Sequence, residues 1–148
     1  MTNHFHVVLQ VPAETISRGM QVVCGDYAQG FNWRHDLTGH LFQGRFRAEV
    51  IDEHAYLYDA IRYVDLNPER AGAVTRAEDW QWSGHGANIG RAQPRPFHVL
   101  SWLADFGTTA TGAAAAYADF VAAGRAAPPT SVTSLAAMSG VRPRTWPL

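Results

Sequence analysis

Four side chains at two places in this chain have the chemistry to act on a phosphodiester. His4 and His6 open an apolar run, and Tyr63 and Asn67 lie near the end of an amphipathic one. Neutral imidazole binds several divalent ions, and oxygen donors suit the harder ones. A phenol, with a pKa of about 10, is a weak nucleophile at neutral pH unless its proton is removed or its anion stabilised. A divalent cation on the phosphate offsets charge growing on a non-bridging oxygen and orients the group for in-line attack. The implied chemistry is attack on a nucleic-acid strand by tyrosine.

Each part of the set must be positioned by an element. From Asn3 to Val11, Phe5, Val7, Leu9 and Val11 alternate with His4, His6, Val8 and Gln10, which reads as a half-buried strand with both histidines on one face. The plainer alternative is two surface histidines on a strand edge. The segment from Asp52 to Pro68 reads as a helix capped by Asp52 or Glu53 and stopped by Pro68. Leu57, Ala60, Ile61 and Val64 form its buried stripe. Tyr56, Ala60, Tyr63 and Asn67 form a second stripe, putting Tyr63 and Asn67 one turn apart. Asn67 precedes a proline, so its backbone is expected to leave the helix, with its side chain as a cap in the alternative reading. For Tyr63 the alternative is a core or rim tyrosine.

Ala13 to Arg34 reads as a helix with Ile16, Met20, Val23, Tyr27 and Phe31 on its apolar face, interrupted by Gly19, Gly25 and Gly30. Leu37 to Gly39 reads as a loop. Leu41 to Ile51 reads as a strand with Phe42, Phe46, Ala48 and Val50 on one face and Arg45 and Arg47 on the other. Those arginines, with Arg34, Arg62 and Arg70, are candidates for DNA phosphate contact; the alternative is a solvated face.

The 148 residues carry 12 basic and 13 acidic side chains, a net charge of −1, and every basic residue is arginine. Bulk attraction to DNA is therefore weak, and affinity must come from a local patch. Trp33, Trp80 and Trp82 are candidates for base stacking, with core or turn packing as the alternative that tryptophan density favours. The length suits one domain with a modest core. The lone Cys24 reads as a buried small hydrophobe and excludes a disulfide framework. No run resembles a signal peptide or a membrane span, which gives a cytoplasmic expectation. Beyond residue 90, Ala92 to Pro96 reads as a link, Val99 to Phe106 as a short helix and Gly112 to Ala123 as a helix. Pro128 and Pro129 open a mobile Ser/Thr/Pro tail whose Trp146 can dock.

Four runs together resemble a known family. Met1-Thr2-Asn3-His4-Phe5-His6-Val7-Val8-Leu9, Gly39-His40-Leu41-Phe42-Gln43-Gly44-Arg45-Phe46, Arg62-Tyr63-Val64-Asp65-Leu66-Asn67-Pro68-Glu69-Arg70-Ala71-Gly72 and Glu78-Asp79-Trp80-Gln81-Trp82-Ser83 look like the REP-associated tyrosine transposases of the HUH single-tyrosine group. The likeness covers residues 1–90, with 91–148 as accessory helices and tail. It implies that His4, His6 and Asn67 hold a divalent metal ion, magnesium or manganese. It further implies that Tyr63 is the nucleophile, forming a 5′-phosphotyrosine and releasing a 3′-hydroxyl that can later rejoin strands. The implied partners are single-stranded or hairpin DNA and a second copy of the chain.

The implied fold is α+β, an antiparallel sheet with helices packed on it. Family members carry a further strand and helix before the H-x-H strand, so the domain is expected to be partial at its front. Two other functions stay open: an inactive hairpin-binding relic, and a metal-dependent hydrolase that uses water instead of tyrosine. Histidine ligation would make activity fall as pH drops through the histidine range. A mixed imidazole and oxygen site would accept manganese at least as well as magnesium.

Overall fold

The computed structural model describes residues 4–51 and 54–126, the side chains of 54 and 55 excepted. Two compact units emerge: Leu9–Val50, and a second made of residues 4–8 together with the described residues from Ile51 onward.

The Leu9–Val50 unit is built on α1, Ala13–His35. The residues from Ile16 to Phe31 recur at helical spacing, as the sequence predicts, but the less exposed positions are Ile16, Met20, Cys24, Ala28 and Phe31, whereas Val23 and Tyr27 face water. Cys24 is half-buried and unbonded. The helix ends at Asp36, whose φ of 50° puts it in the left-handed region that Asp tolerates better than most side chains. The backbone N–H groups of Asp36 and Leu37 both return to the Asn32 carbonyl, and the Asn32 amide donates to the Gly39 carbonyl at 3.0 Å. Phe42 then stacks obliquely on Tyr27, centroids 6.2 Å apart.

The expected sheet is overturned. Among the described residues no strand forms, and the protein is helical. Residues 4–11 are irregular, and Leu41 to Ile51 is a bend followed by irregular chain. Alternation specifies which side chains share a face but supplies no partner, and a strand exists only as a rung of a ladder. Phe5, Val7 and Leu9 are exposed, and so is Val8 on the opposite set, so neither face of that segment is the buried face of a sheet. The α+β sandwich is accordingly replaced by packed helices.

In the second unit α2 spans His54–Arg70. The caps proposed at Asp52 and Glu53 lie outside the described residues, as does the tail from Pro128 with Trp146. Pro68 does not stop α2; it sits inside the last turn, and Asn67 stays helical. A proline there removes only the bond to the Val64 carbonyl, whose loss is mild near a helix end. The stop is Gly72, with φ 69°: its N–H returns to the Glu69 carbonyl and that of Ala73 to the Pro68 carbonyl, a Schellman closure.

A short 3₁₀ turn at Ala77–Asp79, a single turn of helix α3 at His85–Asn88 and a 3₁₀ helix at Ser101–Phe106 lead into α4, Ala110–Ala123. The alanine-rich composition of α4 favours helix, and the Thr109 hydroxyl caps it by accepting the Gly112 N–H at 3.2 Å. Ala113, Tyr117 and Val121, four residues apart, form its buried face. They pack with Leu66, Ala77 and Leu103, so residues before and after position 90 share one core. The Tyr117 ring meets Trp102 at 4.9 Å and Phe106 at 5.2 Å, both edge-on, the arrangement that aromatic quadrupoles prefer. No described helix is long and apolar enough to cross a membrane.

Candidate active site

Residues 4–8 belong to the same compact unit as α2, so the two halves of the predicted constellation can be compared directly. The rings of His4 and His6 are 5.0 Å apart and perpendicular. The His6 ring in turn stands edge-on to the Tyr63 ring at 5.5 Å and 77°. Three of the four sequence-predicted residues are therefore contiguous, although the histidines come from irregular chain instead of a strand. Burial pushes both imidazoles below the usual histidine range, and at His6 the neighbouring His4 adds to the effect. Both rings are accordingly neutral at pH 7, the form in which imidazole donates to a cation.

Asn67 follows Tyr63 by one turn of α2. It is 8% exposed, and its Oδ1 is buried without a hydrogen-bond partner. Buried polar atoms in native proteins are paired in the great majority, and an unpaired one costs about 1–3 kcal/mol. An amide oxygen left in that state, one helical turn from the tyrosine that His6 touches, has the chemistry of a cation ligand, and the residue types suit a divalent ion with mixed nitrogen and oxygen donors. Among the described residues no group of three or more His, Cys, Asp or Glu side chains is arranged to hold a metal ion.

The arginines divide between the units. Arg34, at the last turn of α1, and Arg45 and Arg47, in the irregular segment that follows, are exposed in the Leu9–Val50 unit. Arg62 and Arg70 lie on α2. Arg62 pairs with Asp59 at 2.6 Å and lays its guanidinium over the Phe120 ring at 4.2 Å, so it is held inside the fold. Arg70 donates to the Gly124 carbonyl at 3.0 Å while its guanidinium lies 6.0 Å from the Tyr63 ring centroid. That puts a positive charge beside the phenol.

Sequence reasoning missed the polar centre behind α2. Asp65 Oδ2 lies 2.9 Å from His85 Nδ1 and accepts from the Tyr117 hydroxyl at 2.8 Å and the Asn88 amide at 3.2 Å. All four residues are buried. Asn88 Oδ1 then meets His98 Nε2 at 2.9 Å. Burial, reinforced by the Asp65 charge, pushes the Tyr117 hydroxyl well above its ordinary pKa, so it remains a donor. The available signal was an aspartate between Val64 and Leu66, directly between Tyr63 and Asn67 in sequence: on a helix this turns it away from their face and into the core.

Of the tryptophans proposed for stacking, Trp33 is 86% exposed, Trp82 75% exposed and Trp80 half-buried, so core packing does not describe the first two. Comparison of the chain with protein-family models, curated proteins and solved structures found no match.

Proposed function

We propose that the protein is a metal-dependent tyrosine transposase that cuts and rejoins single-stranded, hairpin-forming DNA. The observation that carries this reading is the ring contact between His6 and Tyr63, which joins a candidate ligand to a candidate nucleophile across the whole of α1 in sequence.

In the proposed reaction the Tyr63 oxygen attacks the scissile phosphorus. A phosphotyrosine bond forms, the bond to the 3′ oxygen breaks, and that oxygen takes up a proton to leave as a hydroxyl. The reverse attack by a 3′-hydroxyl on the phosphotyrosine rejoins strands without an external energy source. Arg70 places a cation near the Tyr63 ring, on the side of the site where the phosphate's negative charge must be met. His4, His6 and Asn67 would hold the divalent ion, which supplies charge neutralisation on the phosphate when bound. His6 has a second task, since its edge-on contact restricts where the phenol can point. The exposed Arg34, Arg45 and Arg47 are candidates to hold phosphates of the substrate. On this reading the chain works on cytoplasmic DNA and pairs with a second copy.

The test is a denaturing gel of the protein with labelled hairpin DNA from its own genomic neighbourhood, in manganese and in magnesium, beside Tyr63→Phe. A metal-dependent covalent adduct that disappears in Tyr63→Phe supports the reading. Strand cleavage that persists in Tyr63→Phe points to a hydrolase using water, and DNA binding without any adduct points to an inactive relic.

A further inference from the structure

Between Asp79 and Asp105 the chain has no acidic residue, although the protein as a whole carries a net charge of −1. That segment holds Arg91 and Arg95, both exposed, and among the described residues neither guanidinium has an ion-pair or hydrogen-bond partner. It also holds two of the most exposed large aromatics of its unit, Trp82 at 75% and Phe97 at 85%. The two rings belong to neighbouring stretches of surface. A Cβ built on Gly84 would stand 2.9 Å from His98 Cε1, so the chain just after Trp82 abuts the residue just after Phe97.

The loop that presents Phe97 is tied down at both ends. The backbone N–H groups of Arg91 and Ala92 both donate to the Gly86 carbonyl, at 2.7 and 3.0 Å. At the other end the His98 N–H closes a turn on the Arg95 carbonyl, and its ring Nε2 meets Asn88 Oδ1. Leaving a phenylalanine side chain in water forgoes about 1.5–3 kcal/mol of burial. Here that ring is held outward by an anchored loop that also carries Arg91 and Arg95 and that abuts the chain just after Trp82.

We infer that Trp82, Phe97, Arg91 and Arg95 form a binding surface for single-stranded DNA, the rings stacking on unpaired bases and the arginines contacting phosphates. Every base has a π-face, so two rings grip a strand without reading its sequence, while a duplex hides those faces in its own stack. The local excess of positive charge supplies what the whole chain lacks. An acidic partner protein would use the arginines but has no comparable use for two exposed ring faces. The surface rests on the reading that the substrate is single-stranded DNA, but not on the chemistry of Tyr63.

The experiment is fluorescence anisotropy of a short labelled oligo-dT strand, and of its duplex with oligo-dA, on the full chain carrying Tyr63→Phe in the absence of divalent metal. Trp82→Ala and Phe97→Ala should each weaken single-strand binding by roughly fivefold or more, whereas Trp82→Phe and Phe97→Trp retain most of it. Arg91→Ala and Arg95→Ala should each reduce the slope of log K against log salt by about 0.7. Unchanged affinity in both ring variants, or duplex bound as tightly as single strand, would overturn the surface. Failure of the Tyr63→Phe chain with its rings intact to bind oligo-dT would also overturn it and turn attention to a protein partner. Because covalent chemistry is absent from the assay, adduct formation by the wild type with unaffected binding in the ring variants removes this surface alone. Ring-dependent binding with no adduct removes the transposase chemistry alone.

Discussion

His85 Nδ1 and Asp65 Oδ2 meet at 2.9 Å with their side chains 3% and 4% exposed, a polar pair buried beside the apolar core of its unit. A carboxylate can only accept, so Nδ1 carries the hydrogen and the tautomer of His85 is set. The same oxygen takes the Tyr117 and Asn88 donors, joining α2, α3 and α4 through one atom. Tyr63 and Asn67 flank Asp65 on α2, so the network fixes the part of the helix that presents them.

Replacement of Asp65 by alanine leaves three donors buried without an acceptor. Each unsatisfied group costs about 1–3 kcal/mol, and loss of one partner of a buried pair about 3–5 kcal/mol. Asp65→Ala should therefore cost about 3 kcal/mol or more in urea denaturation, and Tyr117→Phe, which removes one donor, about 1 kcal/mol. An Asp65→Ala variant within about 0.5 kcal/mol of wild type, the range of ordinary surface substitutions, would show that the network contributes specificity and not stability.

Gly72 offers a cleaner case, because a Cβ there meets nothing within 4 Å while φ stands at +69°. The whole cost of Gly72→Ala is consequently backbone conformation. It should destabilise by roughly 1–2 kcal/mol, with Gly72→Asn between the two, since asparagine visits the left-handed region more readily. Equal melting temperatures for all three would mean that the end of α2 is free to reorganise.

The helices were legible because 3.6-residue periodicity is written locally: α1, α2 and α4 all lie where apolar side chains recur every three or four positions. The Tyr63 to Asn67 spacing was legible for the same reason. The two expected strands do not form because period-2 alternation says nothing about a ladder partner, and Phe5, Val7, Leu9 and Val11 on one set and Val8 on the other are all exposed. Pro68 was misread because a proline in the last turn forfeits one backbone bond where several are already forfeit; the glycine four residues later carried the stop. Asp65 gave no local sign of its partners, since Tyr117 joins it only when α4 folds back on α2. Residue type alone favours packing for Trp82, whereas its 75% exposure is a property of the turn that carries it.

The acid limb of stability should belong largely to Glu78. The Arg76 guanidinium hydrogen-bonded to it, with Arg125 close by, holds its carboxyl down to about 2 from an ordinary 4.5. A depressed folded-state pKa means that the folded protein releases this proton more readily than the unfolded chain, so stability from Glu78 is fully present above about pH 4.5. It is lost progressively as pH falls from there through about 2. Melting temperature measured against pH should therefore fall less steeply between pH 4.5 and 2 in Glu78→Gln than in wild type, with the mutant already less stable at pH 7. Parallel curves would mean that the arginines reorganise to spare the pair.

Asn67 separates a structural role from a chemical one. Its Oδ1 is buried and makes no hydrogen bond, so that atom contributes no pairing to the folded state and its removal spares a desolvation cost. Asn67→Ala loses some packing volume, but the helix gains propensity, since alanine is the better helix former. The expected cost to stability is within about 1 kcal/mol, well below that of Asp65→Ala two residues away. The expected effect on metal-dependent adduct formation is far larger. Groups that merely support a metal ligand are worth about 10–100-fold, so loss of a ligand should reduce adduct yield by at least tenfold. Asn67→Asp, which keeps an oxygen donor and adds charge, should retain adduct formation and lower the metal concentration required. If Asn67→Ala instead melts early and forms adduct at the wild-type rate per folded molecule, the orphaned oxygen is a packing feature of α2, and the ligand set reduces to His4 and His6.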